Sequence, residues 1–356
     1  MADRPTEGPS AKGRLKAAWT LALLAPVSAE LTLGVTPLQW AWLVLPVVAP
    51  MYGACVLLIR ELVRRVRGGW PSLLLLGMAY ELIEDGVALQ ALTSPVLYDA
   101  AEWGPRLLGF NTTYWQAQSG YHVVFSVLIP IMLTDLLFPA HRNRPYLKPG
   151  GLVGVAVTAV LGVALVRAFI PPSVDPGYQA PVSALAVIVS VAAVLALVAL
   201  LVLPGGGPAP VAKASSPAPP AVGVLAALAV FGYMALLFPF DLTDPPAFGD
   251  GTWMPVPMAL AAVLALVTGW YLYRWSLAGN WGDRHRIWVS GGALVSHSVF
   301  GLLVFSAGPV DHVGMVVIIV LTVALLAALA RRRERYPAFH SEEGARSLPR
   351  GRSAKP

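Results

Sequence analysis

Ten separate stretches of this chain are apolar and about as long as a bilayer is thick, and this feature limits its fold more than any other. A helix needs about 20 mostly apolar residues to cross the hydrocarbon core. In lipid a helix also satisfies its own backbone hydrogen bonds. The stretches lack the alternation of barrel strands, so we predict an all-α polytopic bundle of about ten transmembrane helices. The predicted spans are 17–37, 39–59, 71–92, 121–138, 150–170, 181–203, 221–240, 254–273, 287–306 and 313–330.

The basic residues predict the orientation of this bundle. With the N-terminus inside, all but two of the 25 Lys and Arg residues fall in cytoplasmic segments, the exceptions being Arg106 and Arg167. Positive charge favours the cytoplasmic side of a membrane, so we expect both ends of the chain in the cytoplasm. The expected organisation is a basic cytoplasmic arm at 1–16, six helices at 17–203, a Pro/Gly/Ala-rich cytoplasmic linker at 204–220, four helices at 221–330 and a disordered basic cytoplasmic tail at 331–356.

The net charge of +6 has the same origin. Because the basic residues follow the topology, we expect no nucleic-acid partner, and we expect contact with the bilayer and with anionic lipids at the cytoplasmic face. A single cysteine, Cys55, excludes an intramolecular disulfide and a CxxC metal site. Arginine far outnumbers lysine, which is associated with GC-rich bacterial genomes. We therefore expect a multi-pass protein of a bacterial plasma membrane.

The first span leaves two alternatives open. A basic arm, the apolar run 17–25 and the small residues that end at Ala29 resemble a signal peptide. Cleavage after Ala29 would leave nine spans and an external N-terminus. We favour an uncleaved first helix, because the apolar sequence continues far enough beyond Ala29 to cross the membrane.

Three acidic residues stand within the third apolar stretch. Spacings of three and four residues place Glu81, Glu84 and Asp85 on one helical face. Ionisable groups at this depth are costly and are candidate functional residues. Three neighbouring carboxylates cannot all ionise cheaply, so at least one holds a proton or a cation lies among them. The alternative is a structural role, with the carboxyl groups hydrogen-bonded to neighbouring helices or facing a wet outer vestibule.

Two histidines are possible partners of these carboxylates. His122 is expected at the outer start of the fourth helix, on the side where Glu84 and Asp85 lie, and His297 near the middle of the ninth. Each histidine alone is as well explained by a hydrogen-bonded position in the core.

Other residues suggest structural roles. Pro130 is expected to kink the fourth helix, Asp135 to pair with an interfacial arginine, and Glu30 to pair with Arg167. The aromatic-rich outer loop at 93–120 could lie on the membrane surface or fold back over the acidic cluster as a lid.

The stretch 73–90, with its acidic pair Glu84-Asp85, resembles the first motif of the CPBP (Abi, Rce1-like) intramembrane metalloproteases. Members of that family hold a metal with a Glu-Glu pair and with histidines from later helices. The resemblance implies Glu84 and Asp85 as candidate catalytic residues. It implies Glu84, His122 and His297 as candidate ligands of a divalent metal.

Three functions are compatible with these features. The first is a transporter or permease-like protein that uses Glu81, Glu84 and Asp85 for proton or cation coupling. The second is an intramembrane metal-dependent protease, which needs a metal-activated water. The third is a non-catalytic membrane scaffold or partner subunit. The sequence favours the first, and it does not name a substrate.

Overall fold

The chain folds almost entirely as helices. The computed structural model describes residues 11–97, 104–204, 215–238, 253–306 and 308–335. The α-helices are α1 Ala11–Pro26, α2 Ala41–Arg65, α3 Trp70–Glu81, α4 Thr112–Tyr121, α5 Ile129–Leu137, α6 Pro149–Val174, α7 Val182–Leu197, α8 Pro219–Leu237, α9 Pro255–Ser276, α10 Asp283–Val304 and α11 Pro309–Arg335. The wider π-helical segments are π1 Val27–Leu31, π2 Leu82–Ala88, π3 His122–Leu128 and π4 Val198–Val202. A 3₁₀ turn, Pro139–His141, and an antiparallel pair of two-residue strands, β1 Arg106–Leu107 and β2 Phe110–Asn111, complete the described elements.

The predicted all-α polytopic fold is confirmed. Within the described residues, eight helices are long and apolar enough to cross a membrane, and each coincides with a predicted span. The two remaining predicted spans, 17–37 and 71–92, are also helical: α1 continues into π1, and α3 continues into π2. The second of these contains three acidic residues, which lower its apolarity below that of an ordinary span.

Several helices extend beyond the predicted boundaries. The fourth span begins at Thr112, so His122 lies well inside a helix and not at its start. The second span reaches Arg65, so Arg60, Arg64 and Arg65, which lie beyond the predicted end of this span at residue 59, belong to α2. Similarly, α11 continues to Arg335, into the predicted tail. Residues 1–10 of the predicted arm, 205–214 of the linker and 336–356 of the tail lie outside the described residues.

Helix α2 lies between α1 and α6, and glycines let the three helices approach closely. A Cβ atom on Gly53 of α2 would lie 2.5 Å from the Ala22 carbonyl oxygen of α1. A Cβ atom on Gly162 of α6 would lie 2.5 Å from the Met51 backbone nitrogen of α2. Small residues at helix contacts are typical of membrane proteins, because packing replaces the hydrophobic effect there. By contrast, α6, α7, α9 and α11 expose many Val and Leu side chains, as expected of lipid-facing helices.

A buried arginine joins the end of α2 to α5 and to the connection that follows it. The guanidinium of Arg60 is fully buried and donates to Asp135 Oδ1 from Nε at 3.2 Å and from Nη2 at 2.8 Å. It also donates to the carbonyl oxygens of residues 141, 142 and 144, and it lies 3.3 Å from the centroid of the Tyr146 ring. Arg64 adds a second cation to Asp135 at 2.7 Å. The prediction that Asp135 pairs with an interfacial arginine is thus confirmed.

Glu61 fixes the same connection from the other side. Its carboxylate accepts hydrogen bonds from the backbone N–H groups of Tyr146 at 2.5 Å and Leu147 at 3.0 Å. It also pairs with Arg65 at 2.5 Å, one helical turn away. Every charge in this arrangement has a partner of opposite sign, which buried charges need if they are to stabilise a fold.

We predict that Arg60→Met lowers the free energy of unfolding by about 3–5 kcal/mol, because several buried acceptors lose their donor at once. Arg64→Met is the matched control, since the Arg64 side chain is 21% exposed and makes one ion pair. We expect a loss of about 1 kcal/mol or less for the control. Unfolding of the purified protein in mixed micelles with increasing dodecyl sulfate measures both values. Equal losses would contradict the central role of Arg60.

The expected orientation can be tested with two single cysteines in a Cys55→Ser background. Leu108, in the turn between β1 and β2, is 100% exposed, and Asn143, after α5, is also exposed. We predict that a membrane-impermeant maleimide labels Leu108→Cys in intact cells and labels Asn143→Cys only after permeabilisation. The reverse pattern would place the N-terminus outside.

Candidate functional site

The acidic cluster lies where α3 widens into π2. The side chains of Glu81, Glu84 and Asp85 are buried, with at most 1% of their surface exposed. The Leu89 N–H donates to the Glu84 carbonyl, five residues earlier, at 2.8 Å. This hydrogen bond is that of a π-helix. Such π segments are rare and are frequent at functional sites.

His122 lies between Glu84 and Asp85. Its Nδ1 atom is 3.1 Å from Glu84 Oε2, and its Nε2 atom is 3.7 Å from Asp85 Oδ2. Ser126 Oγ lies 3.0 Å from the same Nδ1 atom. The structure therefore brings together three of the residues that the sequence singled out, and each of the two ring nitrogens faces a different carboxylate.

Tyrosine rings enclose His122. The ring centroids of Tyr52, Tyr80 and Tyr121 lie 6.1, 6.2 and 4.5 Å from that of the imidazole. These residues come from α2, α3 and α4 and are buried. They leave the histidine 3% exposed, so the site is closed to both faces of the membrane in this conformation.

Glu30 joins the site through Tyr52, a connection that the sequence did not predict. Its carboxylate accepts hydrogen bonds from Tyr52 Oη at 2.7 Å and from Thr36 Oγ1 at 2.5 Å. The expected Glu30–Arg167 pair is wrong. Arg167 instead donates to the Val87 carbonyl at 2.6 Å and to Gln179, because α6, which carries it, packs against π2.

Glu81, the last residue of α3, faces α4. Its carboxyl group lies near Ser119 and Trp115 of α4, but neither of its oxygens accepts a hydrogen bond of good geometry. Trp115 and its buried neighbour Tyr114 were expected in a loop or lid, and in the structure they belong to a helix whose residues pack against α3. Of the expected outer loop, residues 98–103 lie outside the described residues.

His297 is not at the carboxylates. Its Nδ1 atom lies 3.0 Å from Thr32 Oγ1, and its ring stacks on Phe125 with a centroid distance of 3.6 Å. The Tyr121 ring contacts both histidines, at 4.5 Å from His122 and 5.6 Å from His297. In the part of the chain that the structure describes, no group of three or more His, Cys, Asp and Glu side chains is arranged to hold a metal ion. The expected ligand set of Glu84, His122 and His297 is therefore not assembled in this conformation.

The helix in which we expected a kink at Pro130 is widened before this residue. Residues immediately before the proline form π3, and regular α-helix resumes at Ile129. Proline has no N–H to donate within a helix, and a local π winding is one way in which membrane helices accommodate this loss. His122 and Ser126 both lie on this widened segment.

We predict that Glu81→Met raises the free energy of unfolding by about 1 kcal/mol, because a buried carboxyl group without a well-formed hydrogen bond opposes folding. Glu61→Met is the contrasting control, since Glu61 accepts three hydrogen bonds, and we expect it to destabilise the protein. Unfolding in mixed micelles checks both. Destabilisation by Glu81→Met would show that Glu81 has a structural role.

Comparison with known proteins gives a family without an assigned activity. The model of an uncharacterized membrane protein family matches residues 20–346, which is most of the chain. No curated protein and no solved structure matches the chain. The resemblance to the CPBP metalloproteases receives no support from these comparisons.

Proposed function

The chain belongs to an uncharacterized membrane protein family, and we propose that it is a transporter or permease-like protein in which Glu84, Asp85 and His122 bind and release a coupling proton. The observation that carries this proposal is one imidazole between two buried carboxylates, with nitrogen–oxygen distances of 3.1 and 3.7 Å. We further propose that it works in the plasma membrane of a bacterium, with both ends of the chain in the cytoplasm.

The charge balance of the site supports a coupling role. Within the described residues, no Lys or Arg side chain forms an ion pair with Glu30, Glu81, Glu84 or Asp85. The carboxylates at the cytoplasmic end of the bundle, Glu61 and Asp135, are paired with arginines. Uncompensated charge deep in a membrane protein is costly. Protons or a cation must therefore neutralise the acidic cluster. The charge of the cluster then depends on the pH or on the concentration of that cation.

The position of His122 favours proton transfer. An imidazole can accept a proton at one nitrogen and release another from the second. Nδ1 lies within hydrogen-bond distance of Glu84 Oε2, but this oxygen accepts no hydrogen bond of good geometry in this conformation, and the distance from Nε2 to Asp85 is too long for one. A small rotation of the ring would close the second distance. The two carboxylates would then exchange a proton through His122.

The local backbone gives a second argument. Glu30, Glu84 and His122 each lie on a π segment, namely π1, π2 and π3. A π-helical turn is less favourable than an α-helical one and is frequent at functional sites. Three π segments meet at this one cluster of ionisable groups. Such departures from regular structure are expected at functional sites, where they lower the stability of the fold.

The two alternatives have less support. An intramembrane metalloprotease needs a metal-binding set, and the described residues contain none of three or more ligands. A scaffold subunit has no use for buried carboxylates that lack cationic partners. Both alternatives are outcomes of the following test.

We predict that infrared difference spectra of the protein in liposomes, recorded between acidic and alkaline pH, contain the carbonyl band of a buried protonated carboxyl group. In Glu84→Gln this band loses intensity. We also predict that an imposed potential drives proton uptake into wild-type vesicles, and that Glu84→Gln and His122→Gln reduce the rate at least tenfold, the effect typical of a proton-transfer group. A pH-sensitive dye inside the vesicles measures the uptake.

Asp311→Asn is the matched control, because it also turns a buried acid into its amide. Its side chain accepts a hydrogen bond from the Leu38 N–H outside the acidic cluster, and asparagine keeps that acceptor. We expect wild-type rates from this variant. Proton uptake unaffected by Glu84→Gln would overturn the proposal. One divalent metal per chain, lost in Glu84→Gln, would instead favour the hydrolase.

A further inference from the structure

A cavity of about 590 Å³ opens at the end of the bundle where α1 begins and α2 ends. This is the side that the charge distribution places in the cytoplasm. None of the residues of the acidic cluster lines the cavity. Its lining residues are Arg14, Arg65, His141, Arg144, Pro145, Leu147, Lys148 and Pro149.

Four cationic side chains line this cavity, and no acidic side chain does. Arg65 is held in place by its ion pair with Glu61 and by a hydrogen bond to the Leu147 carbonyl. Arg14, Arg144 and Lys148 form no ion pair with any described residue. The four cations therefore lie around one cavity, from α1, α2 and the segment before α6, and only Arg65 has an acidic partner among the described residues.

His141 supplies a further unsatisfied group. It is buried, and its Nδ1 atom has no hydrogen-bond partner among the described residues. Burial, followed by the charges of Arg14, Arg144 and Arg60, lowers the pKa of His141 below its ordinary value. The cavity thus has a positive potential that acts on its own histidine.

The start of α6 adds to this potential. Pro149 lines the cavity at the first turn of α6. No side chain caps the free backbone N–H groups at the start of this helix. The N-terminal end of a long helix carries a partial positive charge and is suited to anions. Backbone donors and guanidinium groups are the usual ligands of phosphate oxygens.

We propose that this cavity binds a phosphate-bearing anion, held by Arg14, Arg144, Lys148 and the first turn of α6. The phosphate is that of a soluble anion or of an anionic lipid headgroup, and the cavity chemistry is the same for both. This proposal does not depend on transport, because it uses none of the residues of the acidic cluster.

The test is the thermal unfolding of the full chain in nanodiscs. A ligand that binds only the folded state raises the unfolding midpoint with its concentration. One arm adds inorganic phosphate or pyrophosphate to phosphatidylcholine nanodiscs, against sodium chloride of equal ionic strength. The other arm replaces part of the phosphatidylcholine with phosphatidylglycerol. We expect a rise of the midpoint in at least one arm. The first arm identifies a soluble anion, and a rise in the second arm alone identifies a lipid headgroup.

The double variant Arg144→Gln/Lys148→Gln tests whether the cavity is responsible. Both residues are exposed, so the fold tolerates their change, and we expect phosphate or phosphatidylglycerol to bind at least tenfold more weakly. Arg331→Gln/Arg332→Gln is the matched control, because it removes two exposed cations from the end of α11, outside the cavity. We expect wild-type binding from the control. No rise in either arm, or an equal loss in both double variants, would overturn the site.

Discussion

The burial of Arg60 is the constraint on which the arrangement of the first helices depends. A guanidinium group keeps its charge and has five N–H donors, so the chain must supply acceptors wherever that group is removed from water. Asp135 and three backbone carbonyls of the connection after α5 supply them. This fixes the end of α2 against α5. Tyr52 lies eight residues earlier in α2, about 12 Å along the helix, and is thereby held beside His122.

Charged groups are paired near Arg60 and lack ionic partners of opposite sign near His122. At the Arg60 end, carboxylates and guanidinium groups neutralise one another and hold the helices together. Near His122, three buried carboxyl groups and the partly buried Glu30 have only neutral hydrogen-bond donors and one imidazole near them. The first arrangement joins α2 to α5 and to the connection that follows it. In the second, uncompensated carboxylates lower the stability of the fold until they are protonated. The paired charges at the Arg60 end offset this loss of stability.

The sequence was sufficient to predict the helices, the acidic cluster and the pairing of Asp135, because each depends on local apolarity or on the cost of a charge in lipid. It could not predict which partners meet. The pairing of Glu30 with Arg167 was predicted because both lie near the outer ends of their spans. Their helices have different neighbours in the structure. Both His122 and His297 were candidate partners of the carboxylates, and the structure shows that His122 lies beside them while His297 lies on the other side of Tyr121 and Phe125. Arg60 falls just outside the predicted second span, 39–59, since a charge near the end of an apolar run does not show that a buried acceptor awaits it elsewhere in the chain.

The π segments have a consequence for how such a site is inherited. A π turn contains one residue more than the α turn it replaces, and one residue corresponds to about 100° of rotation in an α-helix. A related chain that lacked the residue corresponding to Leu82 or Ile83 would turn Glu84 relative to α3, and so away from His122, even if it retained both side chains. Conserved spacing through π2 and π3 is therefore as much a signature of this site as the ionisable residues themselves, and an alignment gap of a single position there marks a relative that has lost it.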